Sequence, residues 1–219
     1  CKAKRWPVPS NYDPETRTYT GVWDGTFKQA WTNNPVWATY GICVNDRFGL
    51  GKRIQPWMVD KWEMYRIGQY CDQLVSNGVG GMEPRYLCDL NLQGKAEAWT
   101  LLRDVSAIYR GMVYWAQGSL YMQADMPRAQ DIDYTFTRSN VIDGDFVYGG
   151  AGRDTHYSRA LISYDNPANS YDTDVTSVTD QKLQRRYGDN VLEISAIGCT
   201  RESEAQRRGK WALLTNSRD

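Results

Sequence analysis

An α+β fold is the class this sequence predicts: a compact helix, helix, strand, helix and hairpin unit flanked by β-rich segments. Three observations carry that expectation. Apolar residues recur at steps of three and four from Ala98 to Tyr109, the stripe of an amphipathic helix. They alternate around Gln117-Gly118, the pattern of a two-residue hairpin. After Met126-Pro127 the texture turns polar and rich in Tyr and Asp, with short strand candidates. At 219 residues, and with roughly 150 residues in an average domain, the chain suits one large domain or two small ones.

Each element has a local reason. Three prolines between Trp6 and Pro14 make the entry extended or turn-rich. Thr16 to Trp23 reads as a strand ended by an Asp24-Gly25 turn, and one strand cannot stand alone, so it is expected to complete an upstream sheet. Asn34-Pro35 starts a helix: the Asn side chain caps free amides, and Pro at the first helical position has no N–H to waste. Val36, Trp37, Tyr40 and Val44 share one face of it, and it is expected to stop near Asp46, before Gly49 and Gly51. A second helix is expected from about Val59 to Val75, with Met64, Ile67, Cys71 and Leu74 inward, ended by Gly78-Val79-Gly80-Gly81. Tyr86, Cys88, Leu90 and Leu92 alternate with other residues as in a strand. Ala98, Leu101, Leu102, Val105, Ile108 and Tyr109 form the clearest helical stripe. Val113 to Ala124 follows as the hairpin, with Val113, Trp115, Leu120 and Met122 on one face.

Strands are then expected at Phe146 to Tyr148, Arg159 to Tyr164 and Val191 to Ile197. Thr200 is the expected cap of a last helix, with Glu202 and Glu204 in its first turn and Arg207, Arg208 and Lys210 later, the order a helix dipole favours. Its apolar face is small: Ala205, Gly209, Ala212 and Leu213. The chain thus divides into 1–31, the end of an upstream β domain; 32–127, an α/β domain; and 128–219, a β-rich segment with a C-terminal helix.

Composition excludes several functions. Lys plus Arg and Asp plus Glu are both 26, a net charge of zero, so no strongly basic surface for nucleic acid is expected. Tyr (15) and Trp (9) far outnumber Phe (4), and rings with a polar tip suit interfaces as well as cores. The five cysteines, Cys1, Cys43, Cys71, Cys88 and Cys199, are odd in number and never at C-x-x-C spacing, which argues against a disulfide framework or a zinc knuckle. That usage fits a reducing cytosol. No apolar run nears the roughly 18 residues of a membrane span, so a soluble chain is expected. Cys1 is not a Met and Lys2 to Trp6 holds no apolar core, which reads as an excised piece without a signal peptide.

Sites of chemistry are few. Gly49-Leu50-Gly51-Lys52 lacks the spacing of a phosphate loop and reads as a helix-ending loop. His156 is the only histidine and lies in no nucleophile motif; a structural role is expected, and a two-His metal site is excluded. Asp143-Gly144-Asp145 and the group Asp165, Asp172 and Asp174 lack the alternate ligands and terminal Glu of a calcium loop, so turn chemistry is expected. Paired carboxylates for glycoside cleavage can be neither picked out nor rejected without geometry. Arg185-Arg186-Tyr187 and Arg207-Arg208 read as a solvated face or a subunit contact. No catalytic residue, metal ligand or cofactor is assigned.

Longer stretches carry a resemblance. Pro9 to Lys28 (PSNYDPETRTYTGVWDGTFK), Arg47 to Arg53 (RFGLGKR), VDKW and GQYCDQ within Val59 to Gln73, and Gly80 to Arg85 (GGMEPR) resemble the host specificity protein J family of lambdoid phages. Ala98 to Asp104, Thr137 to Val141, Arg186 to Val191 and Gly198 to Arg201 continue it in the same order. The resemblance implies a central hub region of the virion tail tip, made and assembled in the bacterial cytoplasm. There three copies form a ring at the end of the tail tube, with tail-tube-like β domains joined to an α/β hub domain. It implies contacts with the chain's own copies and with other tail-tip and tail-tube proteins, and none with membrane or with a specific nucleic-acid sequence. Receptor binding belongs to another part of such proteins, and the family brings no cofactor. Trimer contacts are then expected between Arg185, Arg186, Arg207 and Arg208 of one copy and Asp165, Asp172 and Asp174 of the next. A tail-associated cell-wall hydrolase and a carbohydrate-binding module stay open as alternatives.

Overall fold

The computed structural model describes residues 6–92, 97–127, 134–150, 152 and 155–217; Cys1 and the expected boundary at Arg128 lie outside the described residues. The entry segment folds on itself. Strand β1 (Trp6–Pro9) pairs antiparallel with β4 (Phe27–Ala30), and between them β2 (Tyr12–Asp13) pairs with β3 (Thr18–Tyr19). The strand expected from Thr16 to Trp23 therefore shrinks to two residues and finds its partner inside the chain, not upstream. Arg17 at φ 56° and Gly21 at φ 65° turn the backbone out of extension on either side. The Asp24-Gly25 turn is present, with Asp24 Oδ1 accepting from the amide and hydroxyl of Thr26.

Helix α1 (Pro35–Val44) starts as expected, Asn34 Oδ1 accepting from the Val36 amide with Pro35 in the first turn. It is buried from Pro35 to Cys43 on every side, so its stripe is a poor guide: an uncharged helix that is apolar all round is a core helix. Helix α2 (Lys61–Asp72) is capped by Asp60 and buries Met64, Ile67 and Cys71. It ends before Leu74, which is exposed in β5 (Leu74–Ser76), paired with β6 (Met82–Pro84) around the glycine loop. The two helices meet where Gly68 faces Trp37; a Cβ on Gly68 would lie 2.9 Å from Trp37 Cζ2.

Tyr86 to Leu92 is no strand. Its amides bond to three separate places, Tyr86 to the Cys71 carbonyl, Cys88 to Asn33 and Asp89 to Gly198, so it is a strap stitched across the molecule. Helix α3 (Ala98–Ala107) buries Leu102 and Val105, with Ile108 and Tyr109 following. Strands β7 (Gly111–Ala116) and β8 (Ser119–Ala124) form the hairpin, with Gln117 at φ 51° and Gly118 at φ 76°, both in the left-handed region a tight type I′ turn demands. Val113, Leu120 and Met122 are buried as expected, whereas Trp115 near the tip is 48% exposed.

A second core lies beyond. Strand β9 (Arg159–Asn166) is central in a three-stranded sheet, flanked antiparallel by β10 (Asp172–Thr179) and parallel by β11 (Val191–Ser195). Helix α4 (Gln181–Tyr187) bridges β10 to β11. Ala160, Ile162, Tyr164 and Val178 point to one face, where α5 (Glu202–Asn216) covers them with Ala205 and Leu213. Gly209 allows the approach: a Cβ there would lie 2.5 Å from Ile162 Cδ1. Helix α5 begins after Arg201, not at a Thr200 cap, because the Thr200 hydroxyl donates to Asp89 Oδ2 instead. Phe146 to Tyr148 is exposed and forms no strand, and β10 and α4 are elements the sequence reading did not place.

Candidate assembly surface

The charges singled out in the sequence separate into two kinds. Asp172 lies opposite Asn166, and Asp165 opposite Thr173, so the three acids Asp165, Asp172 and Asp174 gather where β9 ends and β10 begins. The other end of β10, where Thr179 faces Arg159, leads into α4, whose last turn carries Arg185 and Arg186. Seven strand steps separate the ends, about 23 Å. One copy therefore holds an acidic end and a basic end that do not meet. Arg185 and Arg186 are exposed, and Arg186 lies over the Tyr187 ring. Asp174 is exposed and accepts from Asn166 Nδ2 and the Val175 amide, bonds that hold its carboxyl below the usual range.

Arg207 and Arg208 are used differently. Arg207 bonds Glu83 through Nη1 and the Arg85 carbonyl through Nη2. Arg208 reaches Glu204 at 2.6 Å and the Ile197 carbonyl at 3.1 Å. Arg201 pairs with both Glu83 and Glu204, and Ser203 donates to Glu83. Burial pushes the Glu83 carboxyl up, but the bonds from Ser203 and Arg207 and the charges of Arg201 and Arg207 outweigh it and hold the group below its ordinary value. These residues clamp α5 to β6 across the seam between the two cores. Glu83 and Arg201 were given no role in the sequence, and Glu204 was read only as a first-turn acid of the last helix, although Glu204 and Arg208 at helical i, i+4 spacing were a legible pair.

The other candidate sites are closed. The amides of Gly49, Leu50 and Gly51 donate to carbonyls of Asn45 and Ile42, so the loop ends α1 and presents no cradle to phosphate. His156 is buried, stacked on Tyr187 at 4.4 Å, with Nδ1 3.3 Å from the Asn216 carbonyl. Asp143, at φ 58°, sits in a turn. Among the described residues no group of acidic, His and Cys side chains is placed to hold a metal, and no helix is long and apolar enough to cross a membrane. Asp72 is buried and takes bonds from Arg17, Tyr19 and Asn34; burial pushes its carboxyl up despite those donors. It ties the entry segment to both helices.

One cleft is open and aromatic. It encloses about 680 Å³ between Phe27, Tyr40, Trp57, Trp62 and Tyr121. Trp57 is 78% exposed and Trp62 56%. Lys61 Nζ donates to the Gly25 carbonyl and lies 5.7 Å and 5.3 Å from the centres of the Trp23 and Trp62 rings. Burial pushes the Tyr40 phenol up to about 12, so its O–H stays protonated at any physiological pH. The individual tryptophans gave no signal of this grouping, because only the fold brings Trp57 and Trp62 to Phe27, Tyr40 and Tyr121.

Comparison with known proteins places the whole. Residues 97–219 match the family described as "Putative phage tail protein". The chain is 48% identical over all 219 residues to the "Tip attachment protein J" of Escherichia phage SECphi4, of which it spans 19%. It is 49% identical over 218 residues to the protein of the same name from Escherichia phage SECphi27, of which it spans 18%. The chain thus covers about a fifth of the length of these curated relatives. The family match over more than half the chain, and 48% identity over its full length, mean that this chain belongs to the phage tail protein family.

Proposed function

We propose that the chain is a structural segment of a phage tail tip, the central hub region of a protein of the tip attachment kind, assembled as a ring of three copies at the end of the tail tube. The observation that carries this reading is the identity with tip attachment proteins from end to end of the chain. Its partners are two further copies and the neighbouring tail-tip and tail-tube proteins; receptor contact belongs to other parts of the full-length protein. Assembly takes place in the bacterial cytoplasm, and the work is done without catalysis. Burial of His156 against Tyr187 and the closed Gly49 to Lys52 loop both favour that absence of chemistry.

The division of charge supports a ring. An acidic end and a basic end on one sheet match head to tail, and a head-to-tail contact repeats until the rotation closes. A two-fold contact can pair the same two ends twice and closes at two copies, so the mass of the full-length assembly separates it from the ring. In this reading Arg185 and Arg186 of one copy face Asp165, Asp172 and Asp174 of the next, while Arg207 and Arg208 stay within their own chain. Exposed charges of this kind set register and encounter rate more than affinity. The test is reversal of Arg185 and Arg186 to Glu in the full-length protein, with mass measured by light scattering. Loss of trimer at low salt supports the contact, especially if reversing Asp172 and Asp174 to Lys in the same chain restores it. Normal trimers at low salt overturn the contact, and a monomeric unsubstituted protein overturns the ring.

A further inference from the structure

The aromatic cleft combines flat rings with polar groups of both kinds. Asp60 and Tyr121 also line a second hollow of about 230 Å³, which carries the cleft on toward Tyr114 and Gln123. Tyr114 and Tyr121 stack at 5.5 Å there, so the furrow has rings along its whole length. Asp60 spends Oδ1 on the amides of Trp62 and Glu63, the cap of α2, and its Oδ2 takes no hydrogen bond from another described residue. Lys61 directs one N–H to the Gly25 carbonyl, and an ammonium has two more to give. The hydroxyls of Tyr40, Ser119 and Tyr121 bond to no other described residue, and each can donate and accept. The indole N–H groups of Trp57 and Trp62 likewise have no acceptor among the described residues. Unspent donors and unspent acceptors therefore face the same space.

That mixture selects the occupant. A cation would meet Lys61, whose ammonium already lies 5.3 Å from the centre of the Trp62 ring, and an anion would meet Asp60. A wholly apolar ligand would strip water from a carboxylate, an ammonium and three hydroxyls and return no bonds. An extended peptide gains its affinity by joining a strand edge. The edge of β8 is closed here, because Val59 bridges to Leu120 and the Asp60 amide donates to the Leu120 carbonyl. A neutral sugar ring fits each requirement. Its C–H faces are flat and apolar and pack on aromatic rings. Its rim carries hydroxyls that each donate and accept, so an open carboxylate oxygen, an ammonium and tyrosine hydroxyls are all satisfied together. A cleft of 680 Å³ also lies in the usual range for a bound ligand, roughly 300–1,000 Å³.

We propose that this furrow is a binding site for a neutral oligosaccharide of pyranose rings, packed on Trp57 and Trp62 with its hydroxyls on Asp60 Oδ2 and Lys61, and running past Tyr121 toward Gln123. The continuation beyond Tyr121 is the reason for a chain of sugars in place of a single ring. The site belongs wholly to the first core and uses none of the charges assigned to the contact between copies. It adds a ligand to a structural segment, and its failure would leave the trimer reading untouched.

Titration of the 219-residue chain with maltohexaose, cellohexaose and chitohexaose, followed by tryptophan fluorescence and amide chemical shifts, tests the site and tells which sugar it takes. Saturable binding of at least one at millimolar concentration is expected, weakened about tenfold by Trp57→Ala. Trp57 is an exposed side chain, so the variant keeps its core, and an unchanged melting temperature checks that. Asp60→Asn tests the polar half. Asn caps a helix as well as Asp does, so α2 stays in place, while an amide N–H₂ replaces the open carboxylate oxygen. An acceptor becomes a donor, and affinity should again fall about tenfold with the melting temperature unchanged. Binding of none of the three sugars at millimolar concentration overturns the proposal, as does binding that either variant leaves unchanged. Tetramethylammonium and acetylated decaproline are titrated in parallel. Saturable binding of one of these, lost in Trp57→Ala while the sugars fail to bind, overturns the proposal in favour of a cation cage or a peptide groove.

Discussion

Gly68 shows how one residue is fixed by its neighbour. Alanine is the better helix former by up to about 1 kcal/mol, and a sequence argument alone would replace the glycine. A Cβ at that position would lie 2.9 Å from Cζ2 and 3.0 Å from Cε2 of Trp37. That ring is fully buried, and its N–H donates to the Tyr19 hydroxyl at 3.1 Å, so it has nowhere to move. Overpacking of this kind costs about 1–3 kcal/mol. Gly68→Ala should therefore lower stability by roughly 1–2 kcal/mol net, a fall in Tm of a few degrees for a chain of this size. Thermal unfolding by circular dichroism reads it, and an equal or higher Tm would show that the α1 and α2 contact has room to give.

Among the elements, the hairpin of β7 and β8 was legible because its reasons are local. Alternation set the register and Gln117-Gly118 set the turn. Gln117 sits at φ 51°, a conformation Asn adopts at less cost than Gln. Gln117→Asn should stabilise the chain by about 0.5 kcal/mol, seen as a small rise in Tm; a fall would mean the Gln side chain does something the turn geometry does not reveal. The start of α1 was legible for the same kind of reason, since Asn34 and Pro35 act within one turn. Tyr86 to Leu92 was not, because its alternation mimics a strand while its amides bond across the molecule to Cys71, Asn33 and Gly198. β10 was missed because most of it, Asp172 to Val175 with Ser177 and Thr179, is exposed, and a strand with little buried surface carries no apolar period. Its acids form a visible cluster in the sequence, yet only pairing with β9 places them at the end of the sheet away from the arginines of α4. The aromatic cleft lay beyond sequence altogether, as Phe27, Tyr40, Trp62 and Tyr121 come from four separate elements.

The whole molecule is two apolar cores joined by a polar seam. One core gathers the entry segment, α1, α2, α3 and the hairpin; the other gathers the three-stranded sheet and α5. Between them run the Glu83 and Glu204 clamp, the bond from Thr200 to Asp89 and that from Trp211 to Asp125. Apolar cores keep their strength as pH falls, whereas this seam depends on charge. Glu83 is held below its ordinary value of 4.5 in the folded chain. Its contribution is therefore complete above that pH and is lost as pH drops through the lower, folded value. At neutral pH the two cores should unfold together, and in acid the sheet and α5 should open first. Hydrogen exchange would show this as faster exchange of β9, β10 and α5 amides in acid, beyond the intrinsic change with pH, while α1 stays protected. Glu83→Gln removes the charge without the shape, so it should produce the same separate opening at neutral pH and flatten its dependence on acid. Simultaneous exchange of both cores in that variant would mean the seam is held by packing, with the ion pairs incidental.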